Sequence, residues 1–182
     1  MVIRRSNSNT LSVENSQDKS IISVKSLDGQ LVLKVQSGSE EIEISKPGDY
    51  EYFEDGITAF ELPIEKYIGL IHLIKLNVEC IKIVIATNIR EISKEVLSNL
   101  ANIDILVVPL VNANAAKQIA SAIEPKKIVI VKSFNMAEEV ELDSVKKALG
   151  IANMEEVTSV KHKPLDFASS SEETTLIGEI LA

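Results

Sequence analysis

Few side chains in this sequence could carry out chemistry: it has two histidines, His72 and His162, and one cysteine, Cys80. His72 stands in the apolar segment LIHLIKL, and a histidine inside or beside the core is the simpler interpretation. His162 is flanked by lysines that lower its proton affinity, so we expect it in a solvated loop. Cys80 shares a predicted strand face with Val78 and Lys82 and has no histidine near it in sequence. A small, half-buried side chain is therefore expected there rather than a nucleophile.

Three carboxylates, Glu51, Glu54 and Asp55, cluster near a predicted turn and could form a pair for acid–base chemistry, although no partner motif accompanies them. The seven glycines never take the GxGxxG or GxxxxGK spacing that lets backbone N–H groups approach a phosphate. The GxSxG nucleophile elbow is also missing. These patterns exclude P-loop, dinucleotide-binding and serine-hydrolase interpretations.

The composition indicates an ordinary globular protein. The chain has 182 residues, of which 45% are hydrophobic and 25% charged, with a formal net charge of −8. This length suits one domain, and the acidic balance argues against a nucleic-acid partner. A single cysteine fits a reducing compartment, and no apolar run approaches the roughly 18–20 residues of a membrane span. We therefore expect a cytoplasmic protein that binds neither nucleic acid nor membrane.

Strand patterns dominate the first half of the sequence. Residues 1–19 are rich in Ser and Asn and are predicted to be a flexible tail, followed by a single domain over 20–182. Asp28-Gly29 is a hairpin signal between two predicted strands. Further strands are predicted in EEIEI, GITAFEL, the LIHLIKL region and CIKIVIAT.

Helices and strands alternate beyond Thr87. Ala116, Ile119, Ala120 and Ile123 form one apolar stripe of a helix that ends before Pro125. The runs DILVVP and KKIVIV predict strands covered on both faces, LDSVKKALG predicts a third helix, and TTLIGEIL a last strand. This order of elements predicts an α+β (α/β-like) fold with helices packed on a sheet.

The segment KPGDYEYFEDGITAFEL resembles the PGEYE-x-x-G segment of small bacterial metallo-β-lactamase-fold proteins, the branch related to ascorbate-phosphate lactonase-like Zn-dependent hydrolases. CIKIVIATNI, LSNLANIDILVVPL, NAAKQIASAIEPKKIVIVKSFN and LDSVKKALG follow in the same order as similar segments of that branch. The resemblance extends from about Ile44 to the C-terminus. It implies a metallo-β-lactamase-like β-sandwich flanked by helices, with the N-terminal half shortened to about three strands.

The zinc ligands of that family are not matched. The family's middle Asp corresponds to Asn88, and its late His corresponds to Ser133. Its Gly-Gly pair corresponds to Val111-Asn112, and its H-x-H-x-D-H loop has no counterpart in this sequence. Zinc needs three or four converging N, S or carboxylate ligands, and without it the hydrolase has neither a Lewis acid nor an acidified water. We therefore expect no metal and no cofactor.

Three functions remain open. The first is a non-catalytic structural or protein-interaction subunit, self-associating or bound to a protein partner, because a shortened N-terminal half would leave a sheet face or edge uncovered. The second is a hydrolase with a non-standard or metal-free site, using His72, Glu51 or Asp55. The third is a regulatory module that binds a small ligand in a remnant cleft at Asn88, Asn112 and Ser133, where the family's metal would lie.

Overall fold

The described part of the chain folds into two β-sheets with three helices. It was analysed as a computed structural model, which describes residues 1–7, 10–27, 30–52, 55–61, 71–86, 94–109, 113–131, 142–151, 154–163 and 177–181. One sheet has six strands and the other eight.

The six-stranded sheet is antiparallel and is built mainly from the first 44 residues. Its strands are β1 (Val2–Asn7), β2 (Thr10–Glu14), β3 (Ile21–Leu27), β4 (Gln30–Ser37), β5 (Glu40–Ile44) and β13 (Ser159–Lys161), in the order β13-β1-β2-β3-β4-β5. Strands β1 to β5 therefore form a meander in which β3 is central. The predicted hairpin is confirmed, since Leu27 pairs with Gln30 across residues 28–29.

The eight-stranded sheet combines antiparallel and parallel pairing. It contains β6 (Gly48–Tyr52), β7 (Asp55–Glu61), β8 (Ile71–Val78), β9 (Ile81–Ala86), β10 (Ile105–Pro109), β11 (Lys127–Val131), β12 (Met154–Val157) and β14 (Ile177–Leu181). The order is β12-β14-β11-β10-β9-β8-β7-β6. Strands β6 to β9 pair antiparallel, whereas β9, β10, β11, β14 and β12 pair parallel.

The three helices lie in the connections that follow the parallel strands β9, β10 and β11. They are α1 (Lys94–Ser98), α2 (Ala113–Ile123) and α3 (Leu142–Leu149). The predicted stripe on α2 is confirmed by Ala116, Ile119 and Ile123, each 5–6% exposed. Helix α3 ends as predicted at Gly150. The φ of Gly150 is +70°, a value that residues with a Cβ rarely adopt.

Two apolar layers hold these elements together. The first lies between the sheets, where Leu33 and Val35 of β4 pack with Leu76 of β8 and Ile83 of β9. The second lies between the other face of the eight-stranded sheet and the helices, and includes Val84, Leu106, Ile130, Ile119 and Val145. Strands β10 and β11 are buried on both faces, as their continuous apolar runs predict.

The predicted α+β class is wrong. In the described ranges, fourteen strands in two sheets accompany only three helices, the longest of which has eleven residues. The described elements before α1 are all strands, because alternation with a period of two runs through the N-terminal segments. Residues 2–44 also form five strands, where about three were expected.

The predicted flexible tail is likewise wrong. Residues 2–7 and 10–14 form β1 and β2, and Ile3, Leu11 and Val13 are completely buried between the sheets. The segment TLSVE alternates half-buried and buried residues along β2. This short alternation is sufficient for a strand that has neighbours on both sides, although Ser and Asn dominate the composition around it.

Candidate functional site

The carboxyl ends of three parallel strands meet at one edge of the eight-stranded sheet. Strands β9, β10 and β11 are neighbours in parallel register and end at Ala86, Pro109 and Val131. Polar residues that follow such strand ends are a common source of ligand sites. The three predicted cleft residues follow these ends shortly afterwards in sequence, but they lie outside the described residues: Asn88, Asn112 and Ser133.

A polar depression of about 460 Å³ lies on the outer face of β6, β7 and β8. Asp49 and Glu51 of β6 line it together with Lys75 and Asn77 of β8. The Lys75 ammonium donates a 2.9 Å hydrogen bond to the carbonyl oxygen of Asn99, which follows α1. The two carboxylates are exposed to solvent, so the depression offers a charged surface rather than a desolvated acid–base pair.

The proposed combination of His72 with Glu51 or Asp55 is not assembled. Asp55 and Glu51 lie at the hairpin that joins β6 and β7, where Asp55 pairs with Tyr52 and Glu51 with Gly56. His72 lies at the opposite end of β8, because Asn77 pairs with Gly56 and Ile71 pairs with Glu61. About five residues of strand separate the two places, roughly 16 Å. Glu54 lies outside the described residues.

A compact polar cluster surrounds the amino group of Met1. The terminal ammonium donates hydrogen bonds to Ser16 Oγ at 2.6 Å, to Glu79 Oε2 at 2.7 Å and to the carbonyl oxygen of His162 at 3.1 Å. The other Glu79 oxygen accepts from the backbone N–H and the hydroxyl of Ser16. The cluster joins four segments of the chain, at residues 1, 16, 79 and 162, so its role is to hold the fold together.

Glu79 is ionised in this cluster. Burial raises the pKa of its carboxyl, but the hydrogen bonds from the terminal ammonium and from Ser16 outweigh burial, and the pKa lies below its ordinary value of 4.5. A carboxylate with a lowered pKa remains charged near neutral pH and is a poor general acid. Glu79 therefore acts as a counter-ion.

A second buried carboxylate, Asp104, lies at the start of β10 and is 7% exposed. Its Oδ2 accepts a 2.9 Å hydrogen bond from the backbone N–H of Lys82, and its Oδ1 accepts one at 2.8 Å from the Lys126 ammonium. The backbone of Asp104 also pairs with Lys82 and with Lys127. Asp104 thus connects the starts of β9, β10 and β11.

An open depression of about 610 Å³ separates the ends of α2 and α3. Lys117 and Ser121 of α2 face Lys147 and Leu149 of α3 across it, with Glu124 nearby. Both helices end here, and Lys147 in the last turn of α3 complements the partial negative charge of the carbonyl end of that helix. These features explain the charges without a ligand.

The remaining histidine and the cysteine differ from the sequence predictions. His162 is half-buried rather than solvated, and its backbone N–H donates to the carbonyl oxygen of Met1 at 3.2 Å. Cys80 is exposed and lies in the turn between β8 and β9, where Glu79 and Cys80 have φ of +52° and +63°. Two successive positive φ angles define a tight hairpin turn, so Cys80 is not a half-buried strand residue. Nothing in the local sequence gives the usual Asn-Gly signal of this turn.

The outer face of the six-stranded sheet is exposed, and no helix of the described ranges packs on it. Its outward side chains are mixed: the polar and charged residues Ser12, Ser23, Lys25 and Lys34 lie beside the aliphatic Ile21 and Val32. Ion pairs join Arg4 to Glu14 at 3.2 Å and Lys34 to Glu41 at 2.9 Å.

Among the residues that the structure describes, no set of side chains matches the zinc site of the family that the sequence resembles. No group of three or more His, Cys, Asp or Glu that could hold a metal occurs within the described ranges. We therefore derive no catalytic step through a metal. Across those same ranges, no helix has the length and apolar character needed to cross a membrane.

Comparisons with known proteins do not assign the chain to a family. No protein-family model matches the chain, and no curated protein matches it. One solved structure is similar at a TM-score of 0.43 and 12% identity, over 79% of this chain and 94% of that chain. It is a protein of Parabacteroides distasonis ATCC 8503 that has been provisionally described as a metal-dependent hydrolase. At this distance no residue role is transferred from it.

Proposed function

We propose that the protein is a non-catalytic subunit that acts by binding protein, in the first place a second copy of itself. The exposed outer face of the six-stranded sheet carries this proposal, because an uncovered sheet of five consecutive strands offers a large, flat surface. The two buried carboxylates described above also support the proposal. Glu79 and Asp104 both hold chain segments together, and neither lines either of the two depressions described above.

The ordered sequence resemblance supports an origin in a zinc-hydrolase scaffold whose ligand positions have been replaced, here by Asn88 and Ser133. An exposed, unpaired Cys80 suits the reducing cytoplasm. The proposal therefore describes a cytoplasmic protein in which a scaffold of enzymatic origin serves for assembly.

The test is native mass combined with metal content. Light scattering over a wide range of protein concentration is expected to give a mass that rises above 19.9 kDa, and elemental analysis to give no stoichiometric zinc, iron or manganese. A mass that stays at one chain at every concentration, with no partner recovered from cell extract, contradicts the assembly role. Stoichiometric metal contradicts the non-catalytic role.

A ligand-binding module is the second candidate, and the parallel ends of β9, β10 and β11 at one sheet edge favour it. We propose Asn88, Asn112 and Ser133 as its polar groups. Thermal-shift screening against small polar metabolites would detect a ligand, and alanine at any of the three positions should then remove the shift. A shift that survives all three substitutions excludes this cleft.

A further inference from the structure

The two sheets differ in width, and this difference leaves the outer edge of β5 open. Strand β4 lies against β8, and strand β13 lies against β14. Strand β4 is four strands along from β13, and β8 is four strands along from β14, so the two sheets stay in step between these contacts. One strand further along, β5 lies over β7. The edge strand β6 therefore has no described strand of the six-stranded sheet over it.

The backbone of β5 has hydrogen-bonding groups directed to this open edge. Ser37 and Glu40 pair across a two-residue turn. The closing pair of such a turn is hydrogen-bonded, and hydrogen-bonded pairs alternate with non-hydrogen-bonded pairs along an antiparallel ladder. Ile42 therefore directs its N–H and C=O groups to β4, whereas Glu41 and Glu43 direct theirs to the open edge. No strand of the described ranges pairs with them there.

Two apolar side chains are incompletely covered beside the open edge. Ile42 of β5 faces the layer between the sheets, because it pairs with Val35, which is completely buried there. Tyr50 of β6 faces the same layer, since it pairs with the buried Ile57. Both side chains pack against the core of that layer but are only half-buried. A further strand beside β5 would lie over β6 and cover both of them.

Exposed carboxylates lie along both edge strands. They are Glu40, Glu41 and Glu43 on β5, and Asp49 and Glu51 on β6. One ammonium, that of Lys34, is shared between Glu41 and Glu43 at 2.9 and 4.0 Å, and Lys46 adds a positive charge between the two strands. The carboxylates therefore outnumber the neighbouring cations. Charges on an edge strand oppose pairing with a strand of like charge, so β5 of a second copy is repelled and a cationic strand is attracted.

We propose that β5 is the docking edge for an extended segment of a partner protein, in which lysine or arginine alternates with apolar residues. The segment adds a seventh strand to the six-stranded sheet. Its backbone pairs with Glu41 and Glu43, and its cationic side chains lie beside these carboxylates on the outer face. Its apolar side chains cover Ile42 and Tyr50 on the inner face. This inference goes beyond self-association, because the occupant is a different protein.

Three capped peptides of equal length test the sequence pattern by fluorescence anisotropy. In the first, lysine alternates with valine over about seven residues, an ordinary strand length. The second has glutamate in place of lysine, and the third has the residues of the first with all its lysines at one end. The alternating lysine peptide should bind the wild-type chain at least about tenfold more tightly than either of the others. Equal binding of the peptide with grouped lysines would show attraction by net charge alone and overturns strand addition.

A charge reversal tests the position of the edge. Glu41→Lys/Glu43→Lys should weaken binding of the alternating lysine peptide at least about tenfold and should increase the affinity for the glutamate peptide. Glu124→Lys/Glu156→Lys is the matched control, because it changes the net charge equally at exposed positions after α2 and on β12. The control should bind the lysine peptide as the wild type does. Equal losses of affinity in the two variants contradict the docking edge.

Hydrogen exchange of the wild-type chain supplies a measurement that needs no variant. A saturating concentration of the alternating lysine peptide should slow exchange of the backbone N–H groups of Glu41 and Glu43. Binding without this protection overturns the inference. Self-association is tested separately, by light scattering without peptide. A chain that stays monomeric and still binds the peptide contradicts self-association while supporting β5 as the docking edge.

Discussion

The carboxylate of Glu79 lies 2.7 Å from the terminal ammonium of Met1 and ties the β8–β9 turn to the start of β1. The side chains of Met1 and Glu79 are 0% and 6% exposed, so the ion pair is shielded from water. The two residues belong to different sheets. The contact therefore links the start of the six-stranded sheet to the β8–β9 turn of the eight-stranded sheet.

Replacing Glu79 by Gln should destabilise the protein, since the terminal ammonium loses its counter-charge while remaining buried. We expect the free energy of unfolding to fall by about 1.5–3 kcal/mol, as measured by urea denaturation of a chain whose first residue is Met1. Glu40→Gln is the control, because Glu40 is exposed on the edge strand β5. Its effect should be within about 0.5 kcal/mol, and equal effects of the two substitutions would contradict the ion pair.

The ion pair between Met1 and Glu79 predicts that the stability of the protein depends on pH. Because the pKa of Glu79 is lower in the folded protein than its ordinary 4.5, the folded state binds this proton less tightly than the unfolded state does. The stabilisation is therefore complete above pH 4.5 and is lost as the pH falls through the folded pKa. The stability difference between wild type and Glu79→Gln should narrow over this acid range. A difference that stays constant would show that the charge of Glu79 is irrelevant.

Asp104 should contribute more to stability than the lysine with which it pairs. Asp104→Ala leaves the Lys82 backbone N–H without its acceptor and should cost about 1–3 kcal/mol. Lys126→Ala removes only an ammonium whose side chain is 34% exposed, and should cost less than about 1 kcal/mol. Both values come from urea unfolding curves. A larger loss for Lys126→Ala would mean that the ion pair outweighs the backbone hydrogen bond.

Gly150→Ala should destabilise the end of α3. The position has a φ of +70°, and no atom lies within 4 Å of the added Cβ, so the cost comes from the backbone conformation alone. We expect a loss of about 1 kcal/mol. Gly56→Ala is the control, since Gly56 does not have a positive φ and its added Cβ would lie an ordinary 3.7 Å from Asn77. Thermal unfolding of both variants measures the difference, and a melting temperature unchanged in Gly150→Ala would contradict the assignment.

Cys80 should react with a thiol reagent in the folded protein. It is exposed in the β8–β9 turn, so one equivalent of thiol should be titrated by Ellman's reagent without denaturant. The Cys80→Ser variant provides the blank. A thiol that reacts only after unfolding would instead support the half-buried strand position that the sequence suggests.

The sequence alone predicts the buried parallel strands of the eight-stranded sheet and the helix α2 that packs on it. Long apolar runs such as ILVVP and KIVIV, and the stripe of α2, depend on the chain's own periodicity and are found as predicted. The hairpin at residues 28–29 is likewise local. These features need no knowledge of distant residues.

The N-terminal strands are not evident from composition, although the short alternation in TLSVE indicates β2. Ile3, Leu11 and Val13 are separated by polar residues, and β1 is stabilised by pairing with β2 and with Val160 of β13. The β8–β9 turn was missed for a similar reason, because Glu79 and Cys80 take positive φ without Gly or Asn. The contacts of Glu79 with Met1 and Ser16 compensate for that conformation, and no local pattern reveals them.

Strand β14, the last in the sequence, lies between β11 and β12 rather than at an edge. Strand β12 is made earlier on the ribosome but has no place in the sheet until β14 has paired with β11. The pairing of β1 with β13 similarly joins residues from opposite ends of the chain. Such non-local pairings give a high contact order, which is associated with slow folding. During synthesis, strand edges therefore stay unpaired until β14 has been made, a period in which aggregation competes with folding.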